Sequence, residues 1–407
     1  MPDMGRGVYR LTHGPAEHKH SYQSFCPWSP DGRWLLLLQY DRIHLESRVC
    51  VLDLLDGSLR TVGITTQWNS HTAAYQQWQG RTGRIVYYAS DENTPALVSV
   101  LPDGTDCRVI PTELEGCNCT ADGQWAIGAT PRTLLFPDDQ LAPRHDKGLV
   151  RLNLLTGRSE LILSVEQALA LVPHADSIRH CHLYVKMTIP HQRLPRVLFN
   201  LTNTLWDRGC GEPQVRLLMA VNCDGGSPAY LGPIAHHPNW HPLENTVVVN
   251  VKDDRGELRF GCYDGQGIKP LRCVPHAKGA GHPSFTRDGR WICTDRMSEQ
   301  NRCQITLNEV DGGDAIVLAE YQGVSEGYAA FKSVAQRQPG RSVIAALQDS
   351  TTVSQRTWQT HAHPTWSRDG RFVLFNADLG AGSQLYVVDG HEASPPIAAA
   401  VAGPTPA

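Results

Sequence analysis

Seven times along the chain an apolar run ends in a glycine turn, and this recurrence constrains the fold more than any other feature. The runs are VCVLDLLDG (ending at Gly57), ALVSVLPDG (Gly104), LVRLNLLTG (Gly157), VRLLMAVNCDG (Gly225), LRFGCYDG (Gly265), CQITLNEVDG (Gly312) and QLYVVDG (Gly390). Each reads as a strand entering a tight Asp-Gly or Thr-Gly hairpin, in which glycine supplies the positive φ. A second series precedes most of them: PWSPDGRWLLLL (27–38), QWQGRTGRIVYYA (77–89), CTADGQWAIGA (119–129), and copies at Trp240, Phe285 and Trp366. A degenerate copy is expected at roughly 178–188. Two hairpins per unit make a four-stranded antiparallel blade, and a unit of ~40–50 residues has the propeller period. The sequence therefore predicts an all-β chain, a seven-bladed β-propeller, over residues 1–390.

Longer spacings before Gly225 and Gly390 mark insertions, and helical periodicity is confined to the region around Ser164–Leu171. The last hairpin lacks an outer strand, while VYRLT (8–12) precedes the first unit. That segment is predicted to complete the last blade and close the ring, hiding both sheet edges. The tail HEASPPIAAAVAGPTPA (391–407) is rich in Pro and Ala and is predicted to be disordered.

With 407 residues, 41% hydrophobic and 19% charged, the chain can bury an ample core. A net charge of -4 gives no sign of nucleic-acid or membrane-surface partners. The start MPDMGRGVYRLTHG has no apolar export core, and no stretch approaches the ~18 residues of a membrane span. A cytoplasmic location is expected, with the 12 cysteines as reduced thiols. Cys117 and Cys119 lack a zinc-ribbon spacing, and the sequons at Asn118 and Asn200 read as chance matches. Nothing in the sequence sets an oligomeric state.

His-Pro-x-aromatic recurs three times: His237-Pro238-Asn239-Trp240, His282-Pro283-Ser284-Phe285 and His363-Pro364-Thr365-Trp366, the last with His361 two residues upstream. In a propeller the first strand of each blade lines the channel, so His237, His282 and His363 should share one height in blades five, six and seven. His361 and His363 fall on one strand face, ~6.5 Å apart along the chain, close enough for both imidazoles to reach one ion. Any one of these histidines is explained by a hydrogen bond at the mouth of its blade. Four converging imidazoles instead point to a divalent transition metal, with zinc, manganese, iron or nickel favoured over calcium or magnesium. The pairs His18/His20 and His180/His182 have the same spacing but no partners at equivalent repeat positions, and read as solvated or loop histidines.

The loop between strands two and three of a blade opens on the histidine side. In blade three it is PRTLLFPDDQLAPRHDKG (131–148), with Arg132 near its start. Blade two begins with WNSHTAAYQQW, carrying His71, Tyr75 and Gln77, and Arg216 begins the third strand of blade four. A metal together with arginine can bind and neutralise a carboxylate. Each of these side chains alone also reads as a loop anchor or surface residue.

The stretch QTHAHPTWSRDGRFVLFNADLGAGSQLYVV resembles the metal-binding blade of oligogalacturonate lyases, in which His-x-His-Pro precedes an aromatic, an Asp-Gly-type turn and an apolar strand. His282 and His237 fall in the right order for that family's other site histidines. WNSHTAAYQQW and GCNCTADGQWAIGATPRTLLF look more like the related seven-bladed ulvan lyases. The resemblance implies that His282, His361 and His363 bind manganese, and that His237 corresponds to the family's base. The family's glutamine ligand, three residues before the first histidine of the pair, is here Trp358, with Gln359 one residue out of register. A shift of one residue turns a side chain to the other face, so His237 could instead be a fourth ligand and the metal (Mn or Zn) structural. The ulvan-lyase pattern would then put His71 and Arg132 at the chemistry, with Arg216 nearby. Its tyrosine position falls near Cys117, leaving that role to another residue such as Tyr75.

The implied reaction is β-elimination on an acidic oligosaccharide built from 4-linked uronic acids. Two other readings stay open on sequence: a non-catalytic TolB-like propeller that binds protein or glycan, and a sugar-directed metalloenzyme of hydrolase or isomerase type.

Overall fold

The computed structural model describes residues 7–40, 44, 46–68, 72–91, 94–130, 146–175, 184–202, 216–233, 236–252, 255–267, 270–278, 281–297, 302–323 and 360–390. These form seven four-stranded antiparallel sheets arranged as the blades of a propeller. Blade one is β2 (Glu17–Lys19), β3 (Trp34–Tyr40), β4 (Ser47–Asp53) and β5 (Leu59–Thr65). Blade two is β6 (Gln77–Trp78), β7 (Ile85–Asp91), β8 (Thr94–Val100) and β9 (Arg108–Pro111). Blade three is β10 (Glu115–Cys119), β11 (Trp125–Ala129), β12 (Gly148–Asn153) and β13 (Ser159–Ser164). Blade four is β14 (Tyr184–Pro190), β15 (Arg196–Thr202), β16 (Arg216–Asn222) and β17 (Ala229–Gly232). Blade five is β18 (His236–Trp240), β19 (Thr246–Lys252), β20 (Leu258–Asp264) and β21 (Pro270–Lys278). Blade six is β22 (Ser284–Phe285), β23 (Trp291–Met297), β24 (Arg302–Glu309) and β25 (Ile316–Gln322). Blade seven has β26 (Thr365–Trp366), β27 (Phe372–Asp378) and β28 (Ser383–Asp389), and its fourth strand is β1 (Val8–Arg10).

The ring closes as its sequence predicts. β1 lies antiparallel on β28, with Val8 opposite Val388. The seam is reinforced where blade one meets blade seven. The buried Glu17 carboxylate accepts from Ser383 N, Gln384 Nε2 donates to the Ala16 carbonyl, and Thr12 Oγ1 accepts from Leu385 N.

Inside each blade the first hairpin is shaped by a side chain that accepts from the turn's backbone. Asp31 Oδ1 accepts from Arg33 N, as Asp122, Asp288 and Asp369 accept from the amides two residues on. Blades four and five lack the Asp-Gly turn, and histidine does the same work there. His191 Nδ1 takes the amides of Arg193 and Leu194, and His241 Nδ1 those of Leu243 and Glu244. This corrects the degenerate copy expected at 178–188. The inner strand of blade four ends at Pro190 and its turn spans 191–196, where HQRLPR hides the repeat because an imidazole replaces the carboxylate.

The core fills the spaces between blades. Cys303, Ile305 and Leu307 of blade six pack on Val373 and Phe375 of blade seven, and a cluster of buried apolar residues fills each of the other blade interfaces. Trp78 Nε1 donates to the Pro27 carbonyl and Trp240 Nε1 to the Ile189 carbonyl, so each indole ties its blade to the preceding one. The one helix among the described residues is α1 (Val165–Leu169), which follows β13. A capping box starts it: Ser164 Oγ accepts from Gln167 N while Gln167 Oε1 accepts from Ser164 N. No helix of the described residues is long and apolar enough to cross a membrane.

The inner strands share one further irregularity that positions the site. The residue three before the aromatic position adopts positive φ at Tyr75 (52°), Gly116 (63°), His237 (49°) and His363 (45°). Register shifts sit at this point in blades three, four and five. A bulge of this kind re-aims one side chain out of the regular pleat. Here it acts on the residue that borders the central channel.

Candidate metal centre

Three imidazoles converge in the channel where blades six and seven meet. One nitrogen from each of His282, His361 and His363 lies within 4.8 Å of the others. Ring centroids are 4.4 Å apart for His282 and His363, 5.4 Å for His282 and His361, and 5.5 Å for His361 and His363. His282 and His363 are buried, and His361 is partly so. Burial and the neighbouring His282 push His361 down to about 3, so its ring is neutral across the physiological range. Imidazoles at this spacing fit a divalent transition metal.

The second strands hold these rings. The fifth residue of the strand is Asn200 in blade four, Asn250 in blade five, Asp295 in blade six and Asn376 in blade seven. The strands read RVLFN, TVVVN, WICTD and FVLFN. Asn376 Nδ2 donates to the His361 carbonyl, and Asn250 Nδ2 donates to the Gly281 carbonyl. Asp295, the carboxylate of the set, lies within 3.0 Å of His282 Nδ1 through both oxygens and accepts from the His282 amide at 2.6 Å. Burial alone raises this carboxyl, but the charge and hydrogen bonds of His282 outweigh it and hold it below the usual range. With Nδ1 directed at Asp295, Nε2 is the nitrogen that His282 offers to an ion, in the carboxylate–histidine arrangement common behind metals. A Cβ at Gly281 would collide with the Asp295 carbonyl. Glycine is what lets the start of blade six approach this close.

His237 stands beside the group rather than within it. Its ring stacks on His282 at 4.1 Å, and its Nδ1 bonds the Gly281 carbonyl at 2.8 Å. That bond sets the tautomer: Nδ1 carries the proton, and Nε2 is an acceptor. His237 is partly exposed, whereas His363 is fully buried.

Of the histidines read as solvated or loop residues, His18 and His20 are not solvated. His18 and His20 are both buried. His18 is structural, bridging Gln384 and Gln39 at 3.1 Å on either side of the blade-one seam. His20 lies in the channel, its ring centroid 6.5 Å from that of His363. The misreading has a physical origin. Nine residues separate Lys19 from Trp28 where four separate His236 from Trp240, a five-residue insertion that breaks the repeat alignment.

The insertion runs across the channel. Tyr22 sets its ring edge-on to His363 at 4.8 Å and to His282 at 5.6 Å. With Phe25 it also joins an apolar cluster containing Ile189, Leu198, Leu218 and Trp240 of blades four and five. Burial raises the Tyr22 phenol far above its ordinary range, so it acts as a neutral wall. Lys19, at the start of the insertion, is fully buried and lowered to about 8 by desolvation, against the opposing pull of Glu17.

Of the other expected residues, Arg216 begins β16 at the histidine end of blade four and is partly exposed. Tyr75 packs against Phe25 and Tyr88. Gln77 is structural, its carboxamide joining the Cys117 carbonyl and the Cys119 amide of blade three. Near Cys117 a phenol is indeed present: Tyr88 Oη accepts from Cys117 N and donates to the Leu114 carbonyl. His71, Arg132, His180, His182, Trp358 and Gln359 lie outside the described residues.

The fold is a seven-bladed propeller, and its inner strands bring together three histidines that could hold a metal ion. No protein-family description and no curated protein matches the chain. Among solved structures, it is similar to the oligogalacturonate lyase of Vibrio parahaemolyticus at 14% identity and a TM-score of 0.65, over 95% of this chain and 94% of that one. It is similar to an oligogalacturonate lyase in complex with manganese at 16% identity and a TM-score of 0.65, with the same coverage. The β-propeller domain of the Trilobed protease from Pyrococcus furiosus matches at 8% identity and a TM-score of 0.51, over 92% of this chain and 93% of that one. At such identities the likeness establishes the fold.

Proposed function

We propose that this chain is a lyase that cleaves 4-linked uronate oligosaccharides by β-elimination, with a divalent transition metal, Mn or Zn, held by His282, His361 and His363. The observation that carries the reading is the convergence of these three imidazoles, backed by Asp295, at the axis of a propeller similar to oligogalacturonate lyases. Fold alone would not carry it, since propellers host many activities.

β-Elimination needs a base for the C5 proton and positive charge on the adjacent carboxylate, because the intermediate is an enolate-like dianion. A bound divalent cation supplies that charge as a Lewis acid. His237 is the base that the geometry favours: its Nδ1 proton is committed to Gly281, so its Nε2 can accept the C5 proton. Arg216, which begins β16, is our candidate partner for a uronate carboxylate. As C5 loses its proton, the C4–O bond breaks and a C4–C5 double bond forms. The departing oxygen takes up a proton. His71 and Arg132 remain the sequence-based candidates for base and carboxylate partner, and their substitution checks the assignment directly.

Incubation with oligogalacturonate, oligoglucuronate and iduronate-containing fragments should generate the ultraviolet absorbance of an unsaturated uronate on at least one of them. Chelation, His282→Ala and His237→Ala should each abolish it. A full screen with metal-loaded protein that yields no unsaturated product would remove this reading.

A further inference from the structure

We propose that His20, the residue directly after β2 of blade one, is a further ligand of the ion held by His282, His361 and His363. The inference rests on the metal reading above and adds a ligand from a blade that carries no His-Pro motif.

Three observations carry it. His20 is completely buried, and neither of its ring nitrogens meets a partner at hydrogen-bond geometry, although the backbone of Ala362 and His363 lies close by. An imidazole in that state loses its hydration without compensation, which coordination would restore. Its position is also tied to the ligand strand. Asn376 Oδ1 accepts from His20 N at 3.0 Å while Asn376 Nδ2 donates to the His361 carbonyl at 3.2 Å. One carboxamide thus sets the spacing between blade one and the blade-seven histidines.

The third observation is distance. With metal–nitrogen bonds of about 2.1 Å, two imidazoles on opposite sides of one ion have centroids about 6.4 Å apart. The His20 and His363 centroids are 6.5 Å apart. That separation is within the span of two imidazoles on one ion, while His20 lies outside the three rings whose nitrogens fall within 4.8 Å of one another, so ligation would draw its ring toward them.

His237 is the competing candidate, and it is engaged differently: its Nδ1 is committed to Gly281 and its ring stacks face-on against His282. Blade one and blade five would thus flank the ion with different duties, ligation and proton transfer.

The test uses the full chain, Co²⁺ and Mn²⁺, and binding readouts independent of turnover. His20→Ala and the bulk-preserving His20→Leu should each weaken Mn²⁺ affinity by about tenfold or more, alter the visible bands of bound Co²⁺, and leave the melting temperature of the metal-free protein unchanged or higher. His237→Ala should leave affinity within about threefold, well short of the tenfold expected for loss of a ligand. X-ray absorption of the Co²⁺-loaded wild type, which needs no variant, should count four imidazoles. Wild-type affinity in both His20 variants, or a count of three imidazoles, overturns the proposal. So does loss of affinity in His237→Ala without loss in the His20 variants. The underlying reading fails separately, if the wild type binds neither ion or if His282→Ala binds as the wild type does.

Discussion

Asp295 shows how much one side chain decides at this site. Both its oxygens meet His282 Nδ1, and its Oδ1 also takes the His282 amide. The carboxylate therefore fixes ring orientation, tautomer and backbone together. Asp295→Asn keeps an acceptor but loses the charge and one oxygen, and should weaken Mn²⁺ or Zn²⁺ binding by about 10–100-fold. Titration calorimetry checks this, and unchanged affinity would mean that the carboxylate does not orient the ligand. The three His-Pro histidines were legible because they occupy repeated positions, and His361 because it shares a strand face with His363. Asp295 was not singled out, yet its signal was present: the fifth residue of the second strand is Asn in blades four, five and seven and Asp in blade six. Only pairing across the blade shows that this residue backs the channel histidine.

At the scale of elements, the insertion after β2 matters most. It places Tyr22 between the imidazoles of blades six and seven and the apolar wall of blades four and five. Its ring is buried, and replacing it opens a void under the site. Tyr22→Ala should cost about 3–5 kcal/mol, the range for removing a large buried aromatic, read as a lowered urea midpoint of the metal-free protein. A cost below about 1 kcal/mol, the level of a typical surface change, would contradict the packing described. Hairpins were read correctly from sequence wherever an Asp-Gly turn marks them. They were misplaced in blade four, where His191 takes over the carboxylate's role. The same logic explains His18 and His20: an insertion destroys the spacing on which repeat counting depends, while leaving the residues facing the channel.

For the whole molecule, closure is the governing feature. β1 supplies the outer strand of blade seven, and without it β28 would present an unpaired edge. Deleting residues 1–12 also removes Thr12, whose hydroxyl accepts from Leu385 N. That truncation should lower the urea midpoint and promote association of chains through the exposed edge. Equilibrium unfolding and light scattering check both, and a monomer with the wild-type midpoint would show that closure contributes little. Closure also brings blade one beside blade seven, so a histidine near the start of the chain faces two near its end.

The amino-acid sequence by itself determined the number of blades, the hairpins within them, the closing strand and the recurrence of histidine at one level of three blades. These are local properties, set by period-two alternation and by turns that need glycine or an accepting side chain. The tertiary structure decided which nitrogens face one another. It brought His282, His361 and His363 within reach of one ion, turned His237 onto the face of His282, and carried His20 and Tyr22 into the channel. Those relations depend on distances across the ring between residues far apart in the chain. No local pattern encodes such distances, because they are fixed only when all seven blades pack around a common axis.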